Sequence, residues 1–261
     1  MSKILNLTKN SIDFRKLANY ALLNQDQDVV KFVHKFGQNV DVDTSSPEDV
    51  WGNGGIKSNV DIGETLNIAS SSTSDTSAGT GARTVVVSGL DEDFNEVTDF
   101  IVLNGISNVL TTNSYIEVHR IVVYQAGSSE INVGKITATA SGTSTVLATV
   151  EAGVSITQQT HYTVPAGYTA FKVAETVSSY RADGNGTRQA EITYMLKAAG
   201  DTAWIRESVK GVNSATAAKS WDVPLIVPEK TRMKYQAVAA ANDTSVSVQY
   251  DMVLIKNTEL L

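Results

Sequence analysis

Apolar and polar positions alternate along most of this chain with a period of two. The pattern is strongest from Gly81 to Gly105, where two β-branched runs, 84–87 and 97–103, flank an acidic turn and Asn104-Gly105 closes the second run. Val, Thr and Ile are stiff at χ1 and fit a pleated surface. Asn-Gly accepts positive φ at little cost and suits a tight reversal. The stretch predicts a β-hairpin.

Further strands are predicted at 115–124, 131–140 and 144–150. In the first of these, Tyr115, Glu117, His119 and Ile121 would face one way and Ile116, Val118, Arg120 and Val122 the other. After Glu151-Ala152-Gly153 come runs at 156–164, 168–177, 189–198, 202–209, 221–227, 233–239 and 246–255, divided by turn residues such as Pro165-Ala166-Gly167 and Asn242-Asp243-Thr244. Short strands at this spacing indicate antiparallel sandwiches or jelly rolls. Residues 70–81, small and polar, read as a long loop inside a sheet domain.

The N-terminal part has a different texture. Over 11–24, Phe14, Leu17, Ala18 and Ala21 fall on one face of a helix, with Asn10 or Ser11 as cap and Asp13 at the positive end of the dipole. A short strand is expected at 29–33, and Pro47 suits the start of a helical turn through Trp51. The predicted fold is therefore all-β. Residues 1–62 form an attachment segment with one helix, 63–152 a first antiparallel, jelly-roll-like β-sandwich, and 153–261 a second. The attachment face is Phe14, Leu17, Ala18 and Ala21, packing on a partner or on the chain's own surface.

Composition narrows the chemistry. The 261 residues contain no Cys, which excludes disulfides, thiolate–zinc sites and Cys nucleophiles. The formal charge of −7 argues against a general nucleic-acid surface. No apolar run approaches a bilayer span, and the first residues lack the apolar core of a secretory signal, so synthesis in the cytoplasm without a membrane is expected.

No motif marks a catalyst. Asp91, Asp93 and Asn95 alternate as in a calcium loop, but Glu96 stands at its sixth position and Val102 at its twelfth, so a solvated turn is expected and no metal. Gly79-Thr80-Gly81-Ala82-Arg83 precedes a strand, not the helix that a phosphate cradle requires. His34, His119 and His161 form no paired motif, and no Gly-x-Ser-x-Gly elbow is present. Trp51 is expected to anchor its segment in an apolar pocket. Lys230, Arg232 and Lys234 would share one face of a strand and read as a solvated edge.

The order Ser46-Pro47-Glu48-Asp49-Val50-Trp51 with Gly54-Gly55, then Gly81-Ala82-Arg83-Thr84, Gly89-Leu90-Asp91 and Leu103-Asn104-Gly105, resembles virion structural proteins of tailed bacteriophages, marine ones in particular. Val133-Gly134-Lys135-Ile136, Tyr162-Thr163-Val164-Pro165-Ala166-Gly167 and Asp251-Met252-Val253-Leu254-Ile255 continue the resemblance, which covers most of 37–256. It implies a non-enzymatic virion component without a cofactor, on the capsid exterior or a tail appendage. Its partners would be copies of itself and other virion proteins. The alternative is a glycan-binding adhesion module of a tail fibre or tailspike, with Trp51, Trp204 and Trp221 as stacking platforms.

Overall fold

The computed structural model describes residues 29–181 and 188–260. The helix expected over 11–24, with Phe14, Leu17, Ala18 and Ala21, lies outside the described residues. Within them the fold is all-β and antiparallel throughout, and the one helical turn is a 3-10 turn at Asn257–Glu259.

Strands are numbered in chain order. The first sheet runs β1 (Val30–Val42), β16 (Thr244–Lys256), β11 (Tyr168–Arg181), β14 (Thr216–Val227). The second runs β10 (Tyr162–Thr163), β15 (Arg232–Ala239), β12 (Gln189–Lys197), β13 (Ile205–Asn213), with β2 (Glu48–Asp49) also on β15. The third runs β6 (Val109–Leu110), β3 (Leu66–Ser70), β8 (Ile136–Ala140), β9 (Val146–Val150). The fourth is β5 (Glu96–Val102), β4 (Ala82–Leu90), β7 (Glu117–Ala126). These are four separate sheets, not two clearly delimited jelly rolls. Strand periodicity shows which segments pair with something; it does not show which distant partner each one takes.

Two apolar clusters lie among them. One gathers Leu66, Ile68, Val85, Val87, Val118 and Ile121 with their neighbours from the third and fourth sheets. The other gathers Val42, Val50, Tyr194, Tyr235, Tyr250 and Leu254 from the first and second. β1 belongs with the late chain: Val30 pairs with Ile255 and Phe36 with Gln249. The first-sheet strand β1 and the second-sheet strand β2 thus come from the segment read as an N-terminal attachment. The helical turn expected through Glu48–Trp51 is extended instead. Glu48 and Asp49 pair with Ala237 and Gln236, and Trp51 bridges Gln159. Tertiary pairing overrides the local preference set by Pro47.

The polar loop at 70–81 is ordered by one buried carboxylate. Asp75 is fully buried and accepts from Ser70 Oγ and from the backbone N–H of Ala82, Val133 and Gly134. The β4–β5 turn is held in the same way on a smaller scale. Asp91 Oδ1 accepts from the N–H of Asp93 and Asn95 at 3.0 and 2.8 Å, and Phe94 takes the positive φ of the turn.

Candidate functional site

The two pairs of sheets meet at a buried seam of charged groups. Its origin is a β-bulge in β7. Ser88 pairs with Arg120 and Gly89 with Val118, so His119 is an extra residue in the ladder. A bulge shifts the alternation by one. Val118 and Ile121 therefore both reach the apolar core, while Glu117, His119 and Arg120 are directed at the first and second sheets. This corrects the strict alternation expected over 115–124. Gly89 is required opposite the bulge, because a Cβ there would run into Glu117 O, the Tyr115 ring and Val118 Cα.

From the first sheet, Lys35 donates to His119 O at 2.6 Å. From the second, Thr163 N–H donates to His119 Nε2 at 3.2 Å, and the Tyr162 ring stacks on the imidazole at 4.1 Å. Gln159 Nε2 donates to Val118 O. Lys57 ion-pairs with Glu117 at 3.0 Å, with both side chains buried. The same residue's N–H donates to Asp49 Oδ2. Asp49 also receives Lys234 Nζ at 2.8 Å, Gln236 Nε2 at 2.9 Å and His161 Nε2 at 3.1 Å.

Burial fixes the charge states. It works against ionisation of Glu117, but the charge of Lys57 holds that carboxyl down at about 2. Asp49 is opposed by burial in the same way, yet the His161 hydrogen bond and the Lys234 charge hold it well below the carboxylate range. His119 is pushed down to about 3 by burial and by Lys35. His161 is also lowered by burial, so it serves Asp49 as a neutral Nε2–H donor and Lys234 supplies the charge. Lys35, buried and near Arg120, falls to about 7.

A second bulge repeats the device inside the larger core. Lys172 pairs with Met252 and Ala174 with Asp251, leaving Val173 extra in β11. Lys172 and Glu175 therefore point the same way, and both are fully buried with Nζ 2.5 Å from Oε2. Lys172 lies 3.7 Å from the Tyr194 ring centre and 4.9 Å from those of Tyr235 and Trp221, and hydrogen-bonds Tyr235 Oη. Lys210 completes the group as an ion pair to Glu175 Oε1. Burial and the neighbouring Lys210 and Lys219 push Lys172 down to about 6.

The residues singled out by sequence are scattered. Trp51 is 3% exposed and donates its indole N–H to Gly54 O at 2.7 Å, so it is an internal anchor and offers no stacking platform. Trp204 and Trp221 are half-buried and stand apart. Lys234 lies over one at 4.7 Å and Lys219 over the other at 4.8 Å. His34 is on the surface, hydrogen-bonded to Asp251 at 2.6 Å. Of the basic trio, Lys230 is in a turn at positive φ, Arg232 reaches Asp61, and Lys234 is buried against Asp49. The expected solvated edge is an inner strand, with β12 on one side and β10 and β2 on the other. Among the described residues, no group of three or more His, Cys, Asp or Glu side chains is placed to hold a metal ion. No helix among them is long and apolar enough to cross a membrane.

Two surface grooves lie outside the seam. One of about 490 Å³ runs over the end of β12, β13 and β15, lined by Gln189, Glu191, Gly211, Asn213 and Val238. One of about 370 Å³ lies between Phe94 and Asp61 on one side and Lys197, Gly200, Lys230 and Arg232 on the other. The seam's groups hydrogen-bond and ion-pair with one another, and the arrangement they make is a fixed joint between two pairs of sheets.

No family model matches the chain, and no curated protein matches it. Among solved structures, it is similar to infectious bursal disease virus Gt strain at 13% identity and a TM-score of 0.24, over 87% of this chain and 73% of that one. T=1 particles derived from infectious bursal virus align at 13% identity and a TM-score of 0.18, over 88% and 71%. Overlap this shallow establishes no shared fold.

Proposed function

We propose that this chain is a non-enzymatic structural protein of a tailed-phage virion, made in the host cytoplasm and placed on the capsid exterior, as decoration or head fibre, or on a tail appendage. The observation that carries the reading is the seam. Lys35, Lys57, Glu117 and Asp49 are buried and bound to partners across the two pairs of sheets. Buried ionic groups of this kind fix one arrangement of the parts they join, at a cost in desolvation. A rigid unit suits a particle component, whose contacts repeat by symmetry and tolerate little variation in shape. The resemblance of the motif order to phage virion proteins supports the same reading. The partners are further copies of the chain and other virion proteins.

The test is localisation. Mass spectrometry of purified particles should find the chain at a fixed copy number, and electron microscopy should place it on the exterior. Its absence from purified particles would end the proposal. Specific binding of the isolated chain to a host glycan, abolished by Trp204→Ala or Trp221→Ala, would replace it with an adhesion module.

A further inference from the structure

Three turns close on the smaller surface groove, and each places a residue in the left-handed backbone region. Phe94 in the β4–β5 turn has a φ of 67°, Lys230 in the β14–β15 turn 60°, and Gly200 in the β12–β13 turn 83°. Glycine enters that region freely, whereas a bulky side chain enters it at a cost, and such strain collects at ligand sites. Phe94 and Lys230 stand where Gly or Asn would fit with less strain. Their side chains meet over the groove, with Lys230 Nζ 5.5 Å from the centre of the Phe94 ring. Both turns are pinned to one short segment. Ala166 N–H donates to Phe94 O at 3.0 Å, and Lys230 N–H donates to Val164 O at 2.8 Å. The groove is thus formed in advance, and its volume of about 370 Å³ is that of a small-ligand site.

Its lining carries cations in excess. Lys197 pairs directly with Arg232 across β12 and β15. Like charges directly opposite one another are unfavourable. Arg232 is answered by Asp61 at 3.1 Å and by Val60 O. Among the described residues, Lys197 and Lys230 have no carboxylate partner. Three cations stand against two lining carboxylates, Asp61 and Asp201, which leaves one net positive charge on a chain of formal charge −7.

We propose that this groove binds an acidic sugar, free or within a polysaccharide, with its carboxylate between the ammonium groups of Lys197 and Lys230. The apolar C–H face of the sugar lies on the Phe94 ring. Asp61, with its side chain 88% exposed, and exposed Asp201 accept hydrogen bonds from the hydroxyls. The same two carboxylates repel a ligand of several negative charges, such as a nucleotide, and a purely apolar acid leaves them without donors. The inference does not rest on the virion assignment. Trp221, on β14 of the first sheet, takes no part in it.

Titration of the full chain with glucuronate at low salt, read by calorimetry, tests it. The expected dissociation constant is on the order of 1 mM, at least about tenfold tighter than for glucose or acetate, which carry the hydroxyls and the charge separately. Lys197→Met and Lys230→Gly should each weaken binding at least about fivefold, and Trp221→Ala should leave it unchanged. Lys230→Gly relieves the backbone, so its melting temperature should equal or exceed that of the unaltered chain. That result separates loss of a ligand contact from loss of the fold. A tetramer of linked uronic acids that binds at least as tightly as glucuronate would identify polysaccharide as the source, and weaker binding of the tetramer would identify the free sugar. Affinity for glucuronate no greater than for glucose or acetate would overturn the proposal. So would binding that both lysine variants retain.

Discussion

Replacing Asp49 by Asn tests whether the seam is built on charge. Asp49 is fully buried and accepts four donors: Lys57 N, His161 Nε2, Gln236 Nε2 and Lys234 Nζ. Asn keeps the shape, removes the charge, and turns one acceptor into a donor facing donors. Lys234, 6% exposed at its side chain, is left as a buried cation without a counter-charge. Breaking a buried pair from one side costs about 3–5 kcal/mol. For a chain of this size each kcal/mol is about 2–4 °C, so melting should fall by about 6–20 °C. Asp49→Asn with Lys234→Met removes both halves of the pair, and should recover at least half of that loss. The pH dependence follows from the direction of the shift. A carboxyl held lower in the folded chain than in the unfolded one stabilises above its unfolded pKa, and that stability is lost as pH falls through the folded value. The gap between the unaltered protein and Asp49→Asn should therefore narrow below about pH 4. Thermal melting by circular dichroism reads all three quantities. A loss under about 1 kcal/mol, or a double variant as unstable as the sum of the single ones, would refute the reasoning.

His119 gives a second handle of the same sign, over a higher range of pH. With its folded pKa near 3 and an ordinary value of 6.5, the unfolded chain takes up a proton between these pH values that the native chain does not. Stability should fall as pH drops from 6.5, by about 1.4 kcal/mol per pH unit from this residue, and urea titrations of His119→Asn should show a shallower slope. Gly89→Ala should cost about 1–3 kcal/mol in urea unfolding, because the new Cβ meets the bulged strand. Calcium or a chelator should leave the melting temperature unchanged, since Asp91 is engaged by the amides of its own turn; a rise with calcium would show binding to the native state.

The strands themselves were legible. The runs at 84–87 and 97–103 are the cores of β4 and β5, and those at 168–177, 189–198, 233–239 and 246–255 overlap β11, β12, β15 and β16. Period-two alternation survives in these six because each has at least one buried face. The pairings were not legible. Val30 and Ile255 find each other across almost the whole chain, and no local signal encodes that. The seam was illegible for a related reason. Lys234 looks like a solvated lysine until β15 acquires neighbours on both sides, and Glu48 and Asp49 look like the first turn of a helix until His161 and Lys234 arrive. One signal of the seam does lie in the sequence. Gly89 interrupts an otherwise β-branched run, and an isolated glycine inside a strand marks a bulge or a close backbone approach. It would have warned that alternation in its partner strand changes phase near His119.

The pairing of the first described strand with the last has a consequence for biosynthesis. His34 and Asp251 face each other across 217 residues of sequence. At about 5–20 residues per second, β1 leaves the ribosome roughly 10–40 s before β16 exists. The third and fourth sheets draw only on the intervening chain and can form during that interval. β1 cannot, and its edge, with Val30, Phe32 and Val33, waits exposed in a nascent polypeptide. A ribosome that stalls late, or a message truncated before β16, thus releases a product whose early half is folded and whose first strand is unpaired, and such an edge joins other chains. Yield in a heterologous host should therefore depend on uninterrupted elongation through the codons of β16.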